Sequence, residues 1–412
     1  MPLTRRQIYR RRRIAFFGSL AVVLTTVGYL SATGLAPVPA EAAALSQPAS
    51  LTQAAAQPDW PGFGVSAIGA VGFPGVLGGS GDPASVPIAS VTKIVTALVV
   101  LDAKPLAGEG DPGPDITFTD TDVDIYYKVI AQNGSVAPVV AGMVLSEREV
   151  LEAMLLPSAN NYALSLAVWA YGSEDAYLAA ADSWLAKNGL DDTSVADTSG
   201  LSTSSRSSTA DLVDIGKLAI DDPALASIVA LPSATIPVIG AVKNTNKLLG
   251  RFGVDGIKTG TTDAAGACLL FSTDVKVGSR TVTLVGVILG GTDHSQVNSA
   301  VAALITSAKA GFHEVTLTDK GAAYGTYATA WGQGSRAVAA KAASVLVWSD
   351  TPISGVATAR KLGLGSENDE VGSVEFTVGD KTVSVPLVLD QAVSDPGPAW
   401  RFSHPGELSA GG

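Results

Sequence analysis

The sequence predicts an α/β layered domain followed by a small all-β domain. Three observations carry this reading. Helical signals dominate between Ser90 and Leu218. From Phe252 the apolar period changes to that of strands and closes with one more helix. After Val315 helical signals fade and a hairpin signature appears. Apolar residues make up 47% of the chain and charged residues 16%, which suits a large buried core rather than disorder.

Residues 1–40 read as a signal peptide or an N-terminal membrane anchor. Six arginines (Arg5, Arg6, Arg10, Arg11, Arg12, Arg13) precede Ile14–Ala40, which has no charge. Its most apolar part, Ile14–Leu30, is long enough to span most of a bilayer core. The basic cluster would stay cytoplasmic and place the rest outside. Small residues around Ala40 permit cleavage, while the length of the apolar run favours an anchor. Residues 41–60, rich in Ala, Gln, Ser and Pro, read as a flexible linker.

A layered domain is expected over 61–315. Phe63–Val71 and the glycines after it suggest a strand and hairpin. Ser90–Leu101 is a helix with an almost continuous apolar run, hence buried on most sides. Ala103–Val144, acidic and glycine-containing, is expected to form loops and a short strand pair. Ser146-Glu147-Arg148-Glu149 is a capping box that opens a helix, and Pro157 ends it. Ser173 and Ser208 (or Thr209) cap two further helices. Val254–Thr261, Ala267–Ser272 and Thr281–Leu289 read as strands, and Asn298–Lys309 as a helix. A small all-β domain is expected over 316–405. Val374–Val378, a Gly379-Asp380 turn and Lys381–Val385 form its hairpin signature, with a short helical stretch expected at Val338–Ala343.

Six of the 27 basic residues and none of the 38 acidic ones lie in residues 1–40, so the body is more acidic than the overall charge of −11 implies. That balance argues against nucleic acid as a partner. The single cysteine, Cys268, excludes internal disulfides and sits in an apolar run, as a buried core residue would. Three scattered histidines and one cysteine give no zinc pattern, so neither a metal nor a cofactor is expected.

Three short strings carry chemistry: Ser90-Val91-Thr92-Lys93, Ser158-Ala159-Asn160 and Lys258-Thr259-Gly260. Ser90 and Lys93, three apart at a helix start, share a face. A neutral lysine amine beside a serine hydroxyl takes its proton, and burial or a second cation such as Lys258 lowers the lysine pKa to make it neutral. Ser158 and Asn160 project from a loop after a proline-ended helix. Lys258 and Gly260 lie on one face of a strand and Thr259 and Thr261 on the other, unless the strand twists at the glycine. Gly260 allows close approach of another backbone.

With its flanks, the trio resembles the D-alanyl-D-alanine carboxypeptidases of the low-molecular-mass penicillin-binding proteins. The matching stretches are Pro87–Ala97, Met154–Asn160, Asp197–Leu201, Asn246–Leu249 and Val254–Gly260. The resemblance implies a β-lactamase/transpeptidase-like fold, an antiparallel sheet flanked by helices plus a helical subdomain. It implies a cell-envelope serine peptidase that removes the terminal D-alanine of peptidoglycan stem peptides, with β-lactams as covalent inhibitors. Ser90 would be the acylated nucleophile and Lys93 its base. Ser158 and Asn160 would organise proton transfer and the substrate amide. Lys258 would be the electrostatic clamp, and Thr259, Gly260 and Thr261 would complete the substrate-binding strand. Membrane attachment would fall to the N-terminal segment.

Two departures stand out. Many family members carry a basic residue between two asparagines upstream of the Lys-Thr-Gly strand. Here Thr245 stands between Asn244 and Asn246, with Arg251 a nearby candidate cation. No C-terminal amphipathic anchor is evident. Two rival readings are a serine β-lactamase of the same fold and a catalytically silent penicillin-binding scaffold. The first would need a glutamate near Ser194–Ser199, where only Asp197 is found. The second is opposed by the complete trio.

Overall fold

A computed structural model describes residues 4–408. The chain divides into two compact units, Ala55–His313 and a second one made of Met1–Ala54 with Glu314–Gly412.

The Ala55–His313 unit is built on a five-stranded antiparallel sheet. Its order across the sheet is Val254–Thr262, Gly266–Val277, Arg280–Gly291, Val65–Ala70, Gly78–Ser80. The central strands read as unbroken apolar runs because both faces are covered. Cys268, Leu270, Val285 and Val287 join one core with Ile94, Leu212 and Ile215. The helix His294–Lys309 contacts the strands Gly266–Val277 and Arg280–Gly291 through an amphipathic stripe in which Val297, Val301 and Leu304 are buried. Gly216 in the helix Thr209–Asp221 lets that helix lie close on the sheet. A Cβ there would stand 2.5 Å from Val285 Cγ1.

The helix Thr92–Ala103 runs through the centre of the unit. Every residue from Thr92 to Leu101 is buried. Each fully buried Val, Leu or Ile contributes about 1.5–3 kcal/mol, so this helix is held by packing rather than by caps. Ser90 itself sits just before it, in the single 3-10 turn Ala89–Val91. The expected capping box at Ser146 is present: its hydroxyl accepts from Glu149 N–H, and Glu149 accepts from Ser146 N–H. Ser173 and Ser208 cap their helices as expected.

The Ala103–Val144 segment holds its expected strand pair, Asp115–Thr117 with Val144–Ser146. It also holds a helix, Asp120–Ala131, where the sequence predicts loop. Acidic residues surround its narrow apolar stripe, of which only Ile125 and Val129 are buried, so the period is faint. Its start was nonetheless signalled by a Thr119/Asp122 capping box.

In the second unit six strands form an antiparallel sheet: Ala44–Leu45, Ala323–Ala328, Gly334–Ala339, Lys381–Leu389, Glu370–Val378, Ile353–Ala359. The Gly379-Asp380 hairpin pairs Val378 with Lys381. Two expectations need correction. The alanine-rich 338–343 stretch is strand rather than helix through Ala339, because Ala337, Val338 and Ala339 pair with Leu389, Val388 and Leu387. Cross-strand pairing overrides alanine's helix preference there. Residues 41–54 are not a free linker. Glu41 bridges to Leu362, Ala44 and Leu45 pair with Thr326 and Gly325, Leu51 bridges to Ile353, and the Gln47 amide bonds the backbone of Ala357 at both ends.

One buried group stands apart from the catalytic strings. Glu147 is fully buried at the first turn of the helix Glu147–Leu155, and neither carboxylate oxygen has a hydrogen-bond partner. Burial raises its pKa to about 7, against the opposing pull of Lys104 and with a smaller push from Asp111. A raised folded-state pKa stabilises below the unfolded value, and the benefit is lost as pH rises through about 7. Glu147→Gln should therefore gain in melting temperature relative to wild type on going from pH 5 to pH 8. A difference between the two proteins that does not change with pH would show that Glu147 is not held protonated.

Candidate active site

The first two strings meet at one buried amine. Lys93 is fully buried, and its Nζ lies 2.9 Å from Ser90 Oγ, 2.7 Å from Asn160 Oδ1 and 3.0 Å from the Ser199 carbonyl. Burial is the main force lowering its pKa well below the ordinary lysine value. The nearby Lys258 charge adds to this and Asp197 opposes it. A neutral amine has two hydrogens and one lone pair. Asn160 and the Ser199 carbonyl can only accept, so they take the two hydrogens. The lone pair is left facing the Ser90 hydroxyl.

Each partner of Lys93 is fixed by its own local structure. Asn160 opens the helix Asn160–Tyr171, and its N–H donates to the Ser135 carbonyl at 2.7 Å. The Ser199 carbonyl is aimed by the Asp197-Thr198-Ser199-Gly200-Leu201 loop. Asp197 accepts from Ser199 N–H and Oγ, from Leu201 N–H and from Ser205 Oγ. One turn along from Lys93, Thr96 donates to the Thr198 carbonyl and bonds the Tyr177 hydroxyl, so the loop is tied to the nucleophile helix. Gly200 has φ +78°, and a Cβ there would fall 1.7 Å from the Ala89 carbonyl oxygen, so only glycine fits.

Lys258 is buried, and its Nζ donates to the Thr259 carbonyl at 3.0 Å. Burial lowers its pKa to about 7. Gly260 lies against the nucleophile turn, where a Cβ would stand 3.0 Å from Ser90 N. The strand thus runs alongside the backbone amide of Ser90. Ser158 follows the proline-ended helix with φ +65° and is 8% exposed. Thr259, Gly260 and Thr261 line a cleft of about 330 Å³ together with Ser90 and Ser158. A larger cavity of about 660 Å³ opens elsewhere on this unit beside Lys217 and Asp255, and no residue of the three strings lines it.

The Asn244-Thr245-Asn246 segment has a clear division of labour. Asn244 Nδ2 donates to the Val229 and Leu231 carbonyls, and Asn246 Nδ2 donates to the Gly256 carbonyl. Between them Thr245 turns to the cleft, its Oγ1 2.6 Å from Thr259 Oγ1. Arg251 is exposed and lies over the Phe252 ring, and it is not among the residues lining the cleft. The cations that do line it are Lys243 and Lys247, together with His294, whose Nε2 is 2.7 Å from Thr261 Oγ1. Burial and Lys258 lower the His294 pKa while Asp293 opposes them. The sequence reading missed these three residues. His294 stands 33 residues beyond Thr261, at a helix start, and only the fold brings the two together.

A family model described as D-alanyl-D-alanine carboxypeptidase matches residues 76–292. A D-alanyl-D-alanine endopeptidase of Pseudomonas aeruginosa is 30% identical over 198 residues, covering 46% of this chain and 60% of the relative. D-alanyl-D-alanine carboxypeptidase DacB2 of Mycobacterium tuberculosis is 32% identical over 197 residues, covering 46% of this chain and 63% of the relative. The chain therefore spans about 60% of the length of these curated relatives. The crystal structure of penicillin binding protein 6B from Escherichia coli superposes with a TM-score of 0.60 at 21% identity, covering 81% of this chain and 96% of that one, a likeness of fold.

The two buried lysines make a direct prediction. In the full chain labelled with 13C at the lysine ε carbon, Lys258 should titrate near pH 7 and Lys93 well below an ordinary lysine. The Lys258→Ala and Lys93→Ala spectra assign the two signals. Titration of both at ordinary lysine values would remove the neutral base from the site.

Proposed function

The chain belongs to the D-alanyl-D-alanine carboxypeptidase family, and we propose that it is a serine peptidase of the cell envelope that releases the terminal D-alanine of peptidoglycan stem peptides. The observation that carries this reading is the buried Lys93 amine, held by two acceptors and within hydrogen-bond distance of the Ser90 hydroxyl.

Ser90 Oγ attacks the carbonyl of the penultimate D-alanine while Lys93 takes its proton. The backbone N–H groups of Ser90 and Thr261 face the developing oxyanion. Lys93 returns the proton to the departing D-alanine nitrogen, with Ser158 as relay and Asn160 holding the substrate amide. Water then hydrolyses the Ser90 ester. Lys258, charged in part near neutral pH, supplies positive potential behind the strand. Thr259, Thr245 and Thr261 offer hydroxyls to the substrate's terminal carboxylate, with Lys243 and Lys247 along the same cleft. Recognition by hydroxyls replaces the basic residue absent at position 245.

The endopeptidase name of the Pseudomonas relative favours a second activity on crosslinked stems, in which the leaving group is a longer amine. Penicillin mimics the D-Ala-D-Ala terminus and would acylate the same serine. The β-lactamase rival needs a carboxylate free to activate water, and the Asp197 oxygens are committed to the loop that aims Ser199. The N-terminal arginines and apolar helix support a location at the cytoplasmic membrane with the body outside.

With a D-Ala-D-Ala-terminated peptide, Ser90→Ala should lower D-alanine release by roughly 10³-fold or more while the melting temperature stays within a few degrees. Lys93→Arg should be as damaging as Lys93→Ala, because arginine keeps the charge but does not deprotonate. Lys93→Arg with most of its activity would place the base elsewhere.

Benzylpenicillin should add one drug mass to the protein, mapped to the peptide containing Ser90. The adduct should persist for minutes, because the opened ring stays tethered and no carboxylate lines the cleft among the described residues. Rapid turnover of penicillin without a detectable adduct would favour the β-lactamase reading. No adduct, no turnover and no released D-alanine would favour the silent scaffold.

A further inference from the structure

The apolar N-terminal helix does not end in a free tail. Arg5–Leu35 has no buried residue along its length. From Ile14 to Leu35 it carries no charge and spans roughly 33 Å at 1.5 Å per residue, close to the hydrocarbon thickness of a bilayer. Its outer end, however, is held by the last described segment of the chain. Tyr29 donates its phenol hydrogen to the Phe402 carbonyl at 2.9 Å, and the two rings lie 6.5 Å apart. Arg401 is 7% exposed. Its guanidinium donates to the carbonyls of Gly34 and Ala36 and pairs with the Asp395 carboxylate.

The grip continues past the helix. Val38 and Pro39 are buried, and Glu41 exchanges both backbone hydrogen bonds with Leu362, each at 2.9 Å. Ala44 and Leu45 then enter the sheet. In the folded chain the small residues around Ala40 therefore lie between two fixed points, Arg401 on one side and Leu362 on the other. Proteases need a segment that can leave the folded surface.

The same end of the helix gathers aromatic residues. Trp400 stacks on His404 at 4.9 Å and meets Trp331 edge-on at 5.6 Å. Trp331, Trp400 and Phe402 are all half-buried. Tyrosine and tryptophan with one polar end and one apolar end suit the headgroup boundary of a membrane. At the opposite end the six arginines suit anionic headgroups of the cytoplasmic leaflet.

We propose that residues 1–40 stay on the mature protein as an uncleaved anchor. Asp395–Leu408 clamps the outer end of this anchor and seats its aromatic cluster at the lipid headgroup boundary. The proposal rests on the export reading and decides between the two fates of the segment. A phospholipid bilayer covers the bare helix.

The full chain, produced in a bacterial host, is fractionated and its intact mass measured. The expected product retains residues 1–40 and stays with the membranes through a carbonate wash. In those membranes, Arg401→Ala should raise elastase cleavage between residues 34 and 42 by about tenfold, as the open population of the segment grows. If Arg401→Ala does not accumulate, Tyr29→Phe removes one donor and should raise the same cleavage by about threefold. A mature chain beginning between residues 37 and 43 outside the membrane, still releasing D-alanine, overturns retention and leaves export standing. A full-length chain confined to the cytosol overturns the export reading and this proposal with it. A retained anchor whose cleavage is unchanged in the accumulating variant overturns the clamp.

Discussion

A lysine amine buried away from the protein surface is the constraint on which this site depends. Transferring a charged ammonium into such a place costs several kcal/mol, and the cheaper outcome is loss of its proton. Lys93 sits inside the longest buried run of the chain, so its surroundings disfavour the charge before any partner is counted. What remains is a polar atom that must be satisfied, and three separate segments satisfy it. Nucleophile, asparagine and loop carbonyl are thus brought together by one demand. Asp197 is one step removed, because it holds the carbonyl that holds the lysine.

The backbone around the nucleophile accepts strain to meet this demand. Ala89 has φ +47° and Ser158 has φ +65°, conformations that cost non-glycine residues about 1–3 kcal/mol each. Both flank the cleft, and both are held by packed helices that follow them. Where a side chain would collide with the turn, the chain uses glycine: Gly200 beneath Ala89 and Gly260 beside Ser90. The nucleophile turn is consequently pressed from two sides by backbone, which fixes the direction of Ser90 without relying on its own side chain.

Much of this is legible in the sequence where the cause is local. Ser90 and Lys93 share a helix turn, Pro157 marks the break before Ser158, and serine caps announce the helices that follow them. The Gly379-Asp380 hairpin is of the same kind. Features made by distant pairing are not legible. His294 reaches Thr261 only through the fold, Lys243 and Lys247 are ordinary lysines until a cleft forms beside them, and Thr245 gains meaning from Thr259. The strand Ala44–Leu45 is joined by backbone hydrogen bonds, which leave no apolar period to read. Arg251 follows the same segment in sequence, yet its side chain lies over Phe252.

The pairing of residues 41–54 with strands from the far end of the chain also sets an order of assembly. Synthesis runs from the N-terminus, so Ala44 and Leu51 emerge long before Thr326 and Ile353 exist to pair with them. Val65–Ala70, by contrast, finds its partner at Leu284–Leu289, and the Ala55–His313 unit closes within itself. The N-terminal stretch must wait, unpaired, while the intervening unit folds. An apolar strand in that position would invite association with neighbouring chains. The Ala, Gln, Ser and Pro composition of 41–60 keeps the waiting segment soluble until its partners arrive.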